Sequence, residues 1–90
     1  MSTLHLRIVG RVQGVGFREA TRQQALRIGI TGWVRNRLDG TVEAVIAGDE
    51  ATVLSMFDWC RTGPPLARVD QIEQSVTSGN FNEFVILPTE

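Results

Sequence analysis

The sequence of 90 residues contains no lysine, and all nine of its basic residues are arginine. Without lysine the chain cannot form a Schiff base or supply the lysine of a nucleotide-binding P-loop. It has one histidine, His5, and one cysteine, Cys60, which excludes a zinc site of His and Cys ligands and an internal disulfide. Absence of a disulfide is typical of a reducing compartment, so we expect a cytoplasmic protein with Cys60 as a small buried apolar residue.

Long apolar runs and a strong net charge are also missing. The longest apolar runs have only a few residues, and the N-terminus shows no secretory signal, so we expect no membrane partner. A net charge of −1 gives no overall field that would attract nucleic acid. There is no linker, repeat or low-complexity segment, which predicts a single domain over residues 1–90.

Hydrophobic periodicity predicts the elements of the first half of the chain. Apolar residues alternate with polar ones over residues 4–8, which predicts a half-buried strand. Residues 10–18 follow as a loop. A helical spacing then begins at Phe17 and ends at Gly29, a residue suited to the end of a helix. The apolar face of that helix consists of Phe17, Thr21, Ala25 and Ile28.

The sequence pattern in the second half of the chain predicts a hairpin, a helix and two strands. Residues 30–37 and 41–47 read as strands joined by a turn at 38–40. Asp49 is placed to cap a second helix, which Gly63 and two prolines end. A fourth strand over 67–77 changes the phase of its apolar residues, which indicates a bulge. The pattern of residues 81–87 predicts a short last strand.

This order of elements is β-α-β-β-α-β with one short additional strand. We predict an α+β ferredoxin-like sandwich, with two helices on one face of a four- to five-stranded, mostly antiparallel sheet.

The loop between the first strand and the first helix, GRVQGVGFR at 10–18, is rich in glycine. Glycines let successive backbone N–H groups converge, and a following helix N-terminus adds partial positive charge, so such a loop can bind an anion. The same glycines could also serve only to permit a tight connection between strand and helix. The loop lacks the GK[ST] ending of a nucleotide P-loop, which favours a small phosphate group without a metal.

Arg18 favours the anion-binding interpretation. A cation in the first turn opposes the helix dipole by about 0.3–1 kcal/mol, whereas a bound anion would be attracted by the dipole, the N–H groups and the guanidinium together. Arginine also suits phosphate because its planar group donates two parallel hydrogen bonds. Arg11, which is nearer the strand, is the alternative residue for binding the phosphate. It could also simply be exposed to solvent.

The motif GRVQGVGFR, followed by GWVRNRLDG at 32–40 and GPPLARV at 63–69, closely resembles the acylphosphatase family over essentially the whole chain. The resemblance implies a monomeric enzyme that hydrolyses the carboxyl–phosphate bond of small acyl phosphates without a metal or organic cofactor. It implies that Arg18 and Asn36 are catalytic: Arg18 binds the substrate phosphate and Asn36 positions the attacking water. The phosphate-binding loop that it implies is Gln13, Gly14, Val15, Gly16, Phe17 and Arg18.

The residues themselves leave two roles open for Asn36. It has the same strand parity as Ile30 and Val34, which would point it toward the helices. The second possible role is to hydrogen-bond the backbone of the hairpin turn. The asparagine amide can accept from water and donate to a phosphate oxygen, but it cannot act as a general base. His5 is expected to face solvent and Glu19 to be a helix-start carboxylate, so our hypothesis is that the substrate's own phosphate takes the proton.

Two functions from other classes remain as alternatives. One is a non-catalytic module that binds phosphate or carbamoyl phosphate on the same fold. The other is RNA binding by the sheet, which the aliphatic and charged strand residues, the absence of tyrosine and the negative net charge disfavour. Trp33 and Trp59 are expected to be packing residues rather than ligand contacts. A loop that holds the phosphate and little else predicts little preference for one acyl group over another.

Overall fold

The computed structural model describes all residues from Met1 to Glu90, in the predicted order of elements. The elements are β1 Ser2–Arg11, α1 Phe17–Ile28, β2 Thr31–Asn36, β3 Val42–Gly48, α2 Glu50–Thr62, β4 Arg68–Val76 and β5 Phe84–Ile86. No helix has the length and apolar character that a membrane span requires.

The strands form one sheet of five, in the order β4-β1-β3-β2-β5. All neighbouring strands are antiparallel except β2 and β5, which are parallel. Both helices pack against the same sheet and against each other, α1 over β2 and β5 and α2 over β4, β1 and β3. The predicted ferredoxin-like sandwich is confirmed.

The apolar face of each element explains why this layer forms. Leu6 and Ile8 of β1 are completely buried, as are Val34 of β2 and Ile46 of β3, because alternate residues of a strand point to the same face. Phe17, Thr21 and Ala25 of α1 meet this face from above, as the helical spacing predicted. The main core is a cluster of 14 buried residues between the sheet and the two helices. Val45 and Ala47 of β3 are also buried, but they lie outside this cluster.

The predicted helix ends are confirmed. Gly29 ends α1 in the left-handed conformation, with φ of 82°, and its N–H donates to the carbonyl of Ala25. The Asp49 carboxylate caps α2 by accepting from the N–H of Thr52 at 2.9 Å. Cys60, near the end of α2, is completely buried, and burial raises the pKa of its thiol to about 12.

Strand β1 is longer than predicted. Gly10 and Arg11 were assigned to the loop, but they continue the strand by pairing with Val69 and Arg68. A Cβ on Gly10 would lie 2.1 Å from the carbonyl oxygen of Arg68, so this glycine permits close approach of two strands rather than a turn. The connection to α1 is therefore only residues 12–16.

The two remaining strands depart from prediction in different ways. The bulge predicted in the fourth strand is present, because β4 has one extra residue, Asp70, where β1 passes from Val9 to Gly10. The last strand was predicted over 81–87, but only Phe84–Ile86 form it. These three residues pair with Gly32, Trp33 and Val34 of β2.

Candidate active site

The end of β1, the start of α1 and the end of β2 meet at one edge of the sheet. Because β1 and β2 both run antiparallel to β3, their C-terminal ends lie on the same side. A pocket of about 310 Å³ opens between these elements. It is lined by Val12, Gly14, Gly16, Phe17, Arg18, Glu19, Asn36 and Ile86.

The glycines shape the wall of the pocket that leads into α1. Gly14 and Gly16 have φ of 75° and 79°, a left-handed conformation that favours glycine. A Cβ at either position would meet no atom within 4 Å, so backbone conformation and not lack of space requires glycine there. Gly16 is the N-cap of α1 and no side chain caps this helix. The first-turn N–H groups of α1 are therefore free of side-chain acceptors at the pocket.

Arg18 brings the only guanidinium into this pocket, and it is half-buried. The Arg18 side chain forms no hydrogen bond or ion pair with the rest of the chain, whereas six other arginines pair with carboxylates. Glu19, the only carboxylate in the pocket, pairs with Arg22 at 2.9 Å. Arg11, the alternative phosphate-binding residue, is exposed at the end of β1 and does not line the pocket.

Asn36 closes the pocket from the last position of β2. Its side chain lies on the same face as Val34, as the strand parity predicted, and it is only 9% exposed. Its Oδ1 atom is buried and has no hydrogen-bond partner. The hairpin turn is satisfied instead by Asp39, whose carboxylate accepts from the N–H and hydroxyl of Thr41. The turn role considered for Asn36 is therefore wrong, because Asp39 fills it.

Two residues assigned to the phosphate loop do not line the pocket. Gln13 turns its side chain to the β2–β3 hairpin, where Nε2 donates to the carbonyls of Arg37 and Thr41. Val15 is half-buried and packs against the core. The interaction of their backbone N–H groups with phosphate stays a prediction.

Two pocket residues were missed from sequence. Val12 was read only as part of a loop, because the first strand was predicted to end at residue 8, whereas β1 reaches Arg11 and Val12 follows it directly. Ile86 comes from the short β5, and nothing in the sequence shows that β5 lies parallel to β2. Both residues are apolar and supply part of the pocket wall next to Asn36.

The remaining residues considered for catalysis lie elsewhere. His5 hydrogen-bonds Glu43 on the sheet face that carries no helices. Burial alone would raise the pKa of Glu43, but hydrogen bonds from His5 and Arg35 outweigh it and lower that pKa. The ring of Trp33 lies 5.0 Å from the Arg35 guanidinium carbon.

On the helix side, the ring of Trp59 meets that of Phe17 edge-on at 6.0 Å, a packing role as expected. Nowhere does the chain gather three or more His, Cys, Asp or Glu side chains in a group that could hold a metal ion.

Taken together, these features define a ferredoxin-like sandwich with a small pocket at the start of its first helix, lined by the Arg18 guanidinium and the Asn36 side chain. The family model described as acylphosphatase matches residues 4–86. A Thiobacillus denitrificans protein named acylphosphatase is 52% identical over 84 residues, which are 93% of this chain and 94% of the relative. A Pyrobaculum arsenaticum protein of the same name is 50% identical over an alignment of 92 positions, which covers 99% of this chain and 97% of the relative.

Comparison with solved structures gives the same family as the sequence relatives. The crystal structure of acylphosphatase from Bacillus subtilis superimposes with a TM-score of 0.92 at 32% identity, covering 97% of this chain and 99% of that one. This chain belongs to the acylphosphatase family. It is therefore a hydrolase, and the resemblance seen in its motifs is confirmed.

Proposed function

We propose that this enzyme hydrolyses the carboxyl–phosphate bond of small acyl phosphates in the pocket between the glycine loop and Asn36. The observation that carries this proposal is the meeting of three kinds of group in one small pocket: backbone N–H groups at a helix start, the unpaired guanidinium of Arg18 and the unpartnered amide of Asn36. Family membership supports the same chemistry. The proposed reaction uses no cofactor.

In this proposal the phosphoryl group lies against the loop of residues 13–18. The N–H groups and Arg18 hold its oxygens and stabilise the charge that spreads over them in the transition state. The helix dipole of α1 attracts the same charge, so the unfavourable position of a cation in a first helical turn becomes favourable when the phosphoryl group is bound.

Asn36 positions the water that attacks phosphorus. Rotation of the amide can present its oxygen to the pocket, where it can accept a hydrogen bond from the attacking water. The water oxygen forms a bond to phosphorus, the bond from phosphorus to the carboxyl oxygen breaks, and a carboxylate leaves. A phosphate oxygen takes the proton from water, because the carboxylate is already a good leaving group and Glu19 is paired with Arg22.

Hydrolysis of benzoyl phosphate in EDTA tests these roles. Wild type, Arg18→Gln and Asn36→Ala are compared, with folding checked by circular dichroism. Arg18→Gln should weaken inhibition by inorganic phosphate and lower kcat/KM by about 10²–10³-fold. Asn36→Ala should lower kcat by a similar factor and leave phosphate inhibition close to that of wild type. Wild-type rates in either folded variant would refute the assigned role.

The same assay separates the enzyme from a non-catalytic module. A wild-type protein that binds inorganic phosphate through Arg18 but releases none from benzoyl phosphate would be a phosphate-binding or carbamoyl-phosphate-binding domain. A pH profile with a side-chain pKa near 6–7 that disappears in His5→Ala or Glu19→Gln would contradict the substrate phosphate as proton acceptor.

We also propose that residues 1–90 act as one monomeric, cytoplasmic domain. Edge strand β4 supports a monomer because it carries Arg68, Asp70 and Glu73, and charged side chains discourage strand pairing between molecules. The single buried Cys60 supports a reducing compartment. The molar mass in solution, measured by light scattering at assay concentrations, tests whether the protein is a monomer.

A further inference from the structure

Gln13 is the residue whose side chain joins the glycine loop to the hairpin that carries Asn36. Its Nε2 donates to the carbonyl oxygen of Arg37 at 2.8 Å and to that of Thr41 at 2.9 Å. No other hydrogen bond connects residues 12–18 with residues 36–41. One amide group thus bridges the two walls of the pocket.

Both partners of Gln13 belong to a loop that is already closed. The N–H of Arg37 donates to the carbonyl of Thr41 at 2.8 Å, and the N–H of Gly40 donates to the carbonyl of Arg37 at 3.1 Å. Asp39 accepts two further hydrogen bonds from Thr41. The internal hydrogen bonds of the hairpin therefore do not involve Gln13. The glutamine amide instead links the hairpin directly to the loop, in addition to the pairing of β1 with β3.

The two walls carry different parts of the proposed chemistry. Every proposed phosphate-binding group lies on residues 13–18, whereas the proposed water-binding amide belongs to Asn36, directly before Arg37. We infer that Gln13 is a positioning residue: its side chain sets the distance between the water held by Asn36 and the phosphoryl group held by the loop. This inference rests on the proposed function.

The inference predicts a separation of binding from turnover. Gln13→Met removes the amide donor at nearly the same length. Phosphate binding should change little, because the loop glycines and α1 keep their own conformation. The kcat for benzoyl phosphate should fall about 10- to 100-fold, since displacements near 1 Å between reacting groups have effects of that size.

The experiment compares kcat, the inhibition constant of inorganic phosphate and Tm for wild type, Gln13→Met and Gln74→Met. Gln74 is an exposed glutamine of β4 without a side-chain hydrogen bond, so it controls for loss of an amide. Gln13→Asn, which keeps the amide but shortens the side chain, gives the same comparison if Gln13→Met does not fold. A lower Tm with unchanged kcat well below Tm would overturn the inference.

A double-mutant cycle with Asn36→Ala gives the decisive result. If Gln13 acts through Asn36, adding Gln13→Met to Asn36→Ala should change kcat by no more than about twofold. Independent, multiplying losses in kcat would overturn the inference and leave Gln13 a structural residue. Absence of benzoyl phosphate turnover in the wild-type protein would overturn the proposed function itself, and this inference with it.

Discussion

Replacing Asn36 with leucine should make the protein more stable and almost inactive. Oδ1 of Asn36 is buried without a partner, and such a group destabilises a folded protein by about 1–3 kcal/mol. Leucine has the same branching and removes both polar atoms. Allowing for its larger methyl groups, we take the lower end of the range, a gain of about 1 kcal/mol in the free energy of unfolding. In a domain of this size that raises Tm by about 4–8 °C.

Calorimetry and benzoyl phosphate hydrolysis measure the two effects on the same sample. The exposed Asn82 of the loop before β5 supplies the control, because Asn82→Leu changes no buried polar atom and should leave Tm and kcat unchanged. The reasoning is refuted if Asn36→Leu lowers Tm by several degrees while Asn82→Leu does not. A stabilised Asn36→Leu with wild-type kcat would instead show that the unpartnered amide has no catalytic role.

Two further predictions concern the glycines and the hairpin. Gly10→Ala should cost more than about 3 kcal/mol in urea unfolding, because its Cβ would meet the Arg68 carbonyl at 2.1 Å, whereas Gly14→Ala should cost about 1–2 kcal/mol of left-handed strain alone. Equal costs would contradict this account. Hydrogen bonds from Thr41 lower the pKa of Asp39 to about 2, so the stability from Asp39 is present above pH 4 and is lost as pH falls toward 2. Asp39→Asn should flatten this part of the stability–pH curve, and an unchanged slope would oppose it.

The elements that could be predicted are those set by neighbours along the chain. The span of α1 follows from an apolar residue at every third or fourth position and from Gly29, which can adopt a left-handed conformation. The cap at Asp49 and the turn at Asp39 and Gly40 depend on side chains that hydrogen-bond within a few residues. The bulge in β4 was visible because an extra residue shifts the alternation of apolar positions.

The features that could not be predicted depend on partners distant in sequence. Periodicity does not show that Gly10 must approach Arg68, or that β5 lies beside β2, because strand pairing is settled by how all strands share one core. For the same reason Ile86 was missed from the pocket. Gln13 was assigned only to the phosphate-binding loop, and the role of its side chain was missed, because its acceptors on the hairpin are distant in sequence.

The sequence by itself determined the helices, the order of the strands along the chain and the two motifs that carry Arg18 and Asn36. These follow from local periodicity, turn chemistry and the residues of a known family. Only the tertiary structure decided that Arg18 and Asn36 face one pocket, that Asn36 is left without a partner, and that Gln13 joins the two walls. The physical reason is that burial and long-range hydrogen bonds exist only after the sheet has brought distant segments together.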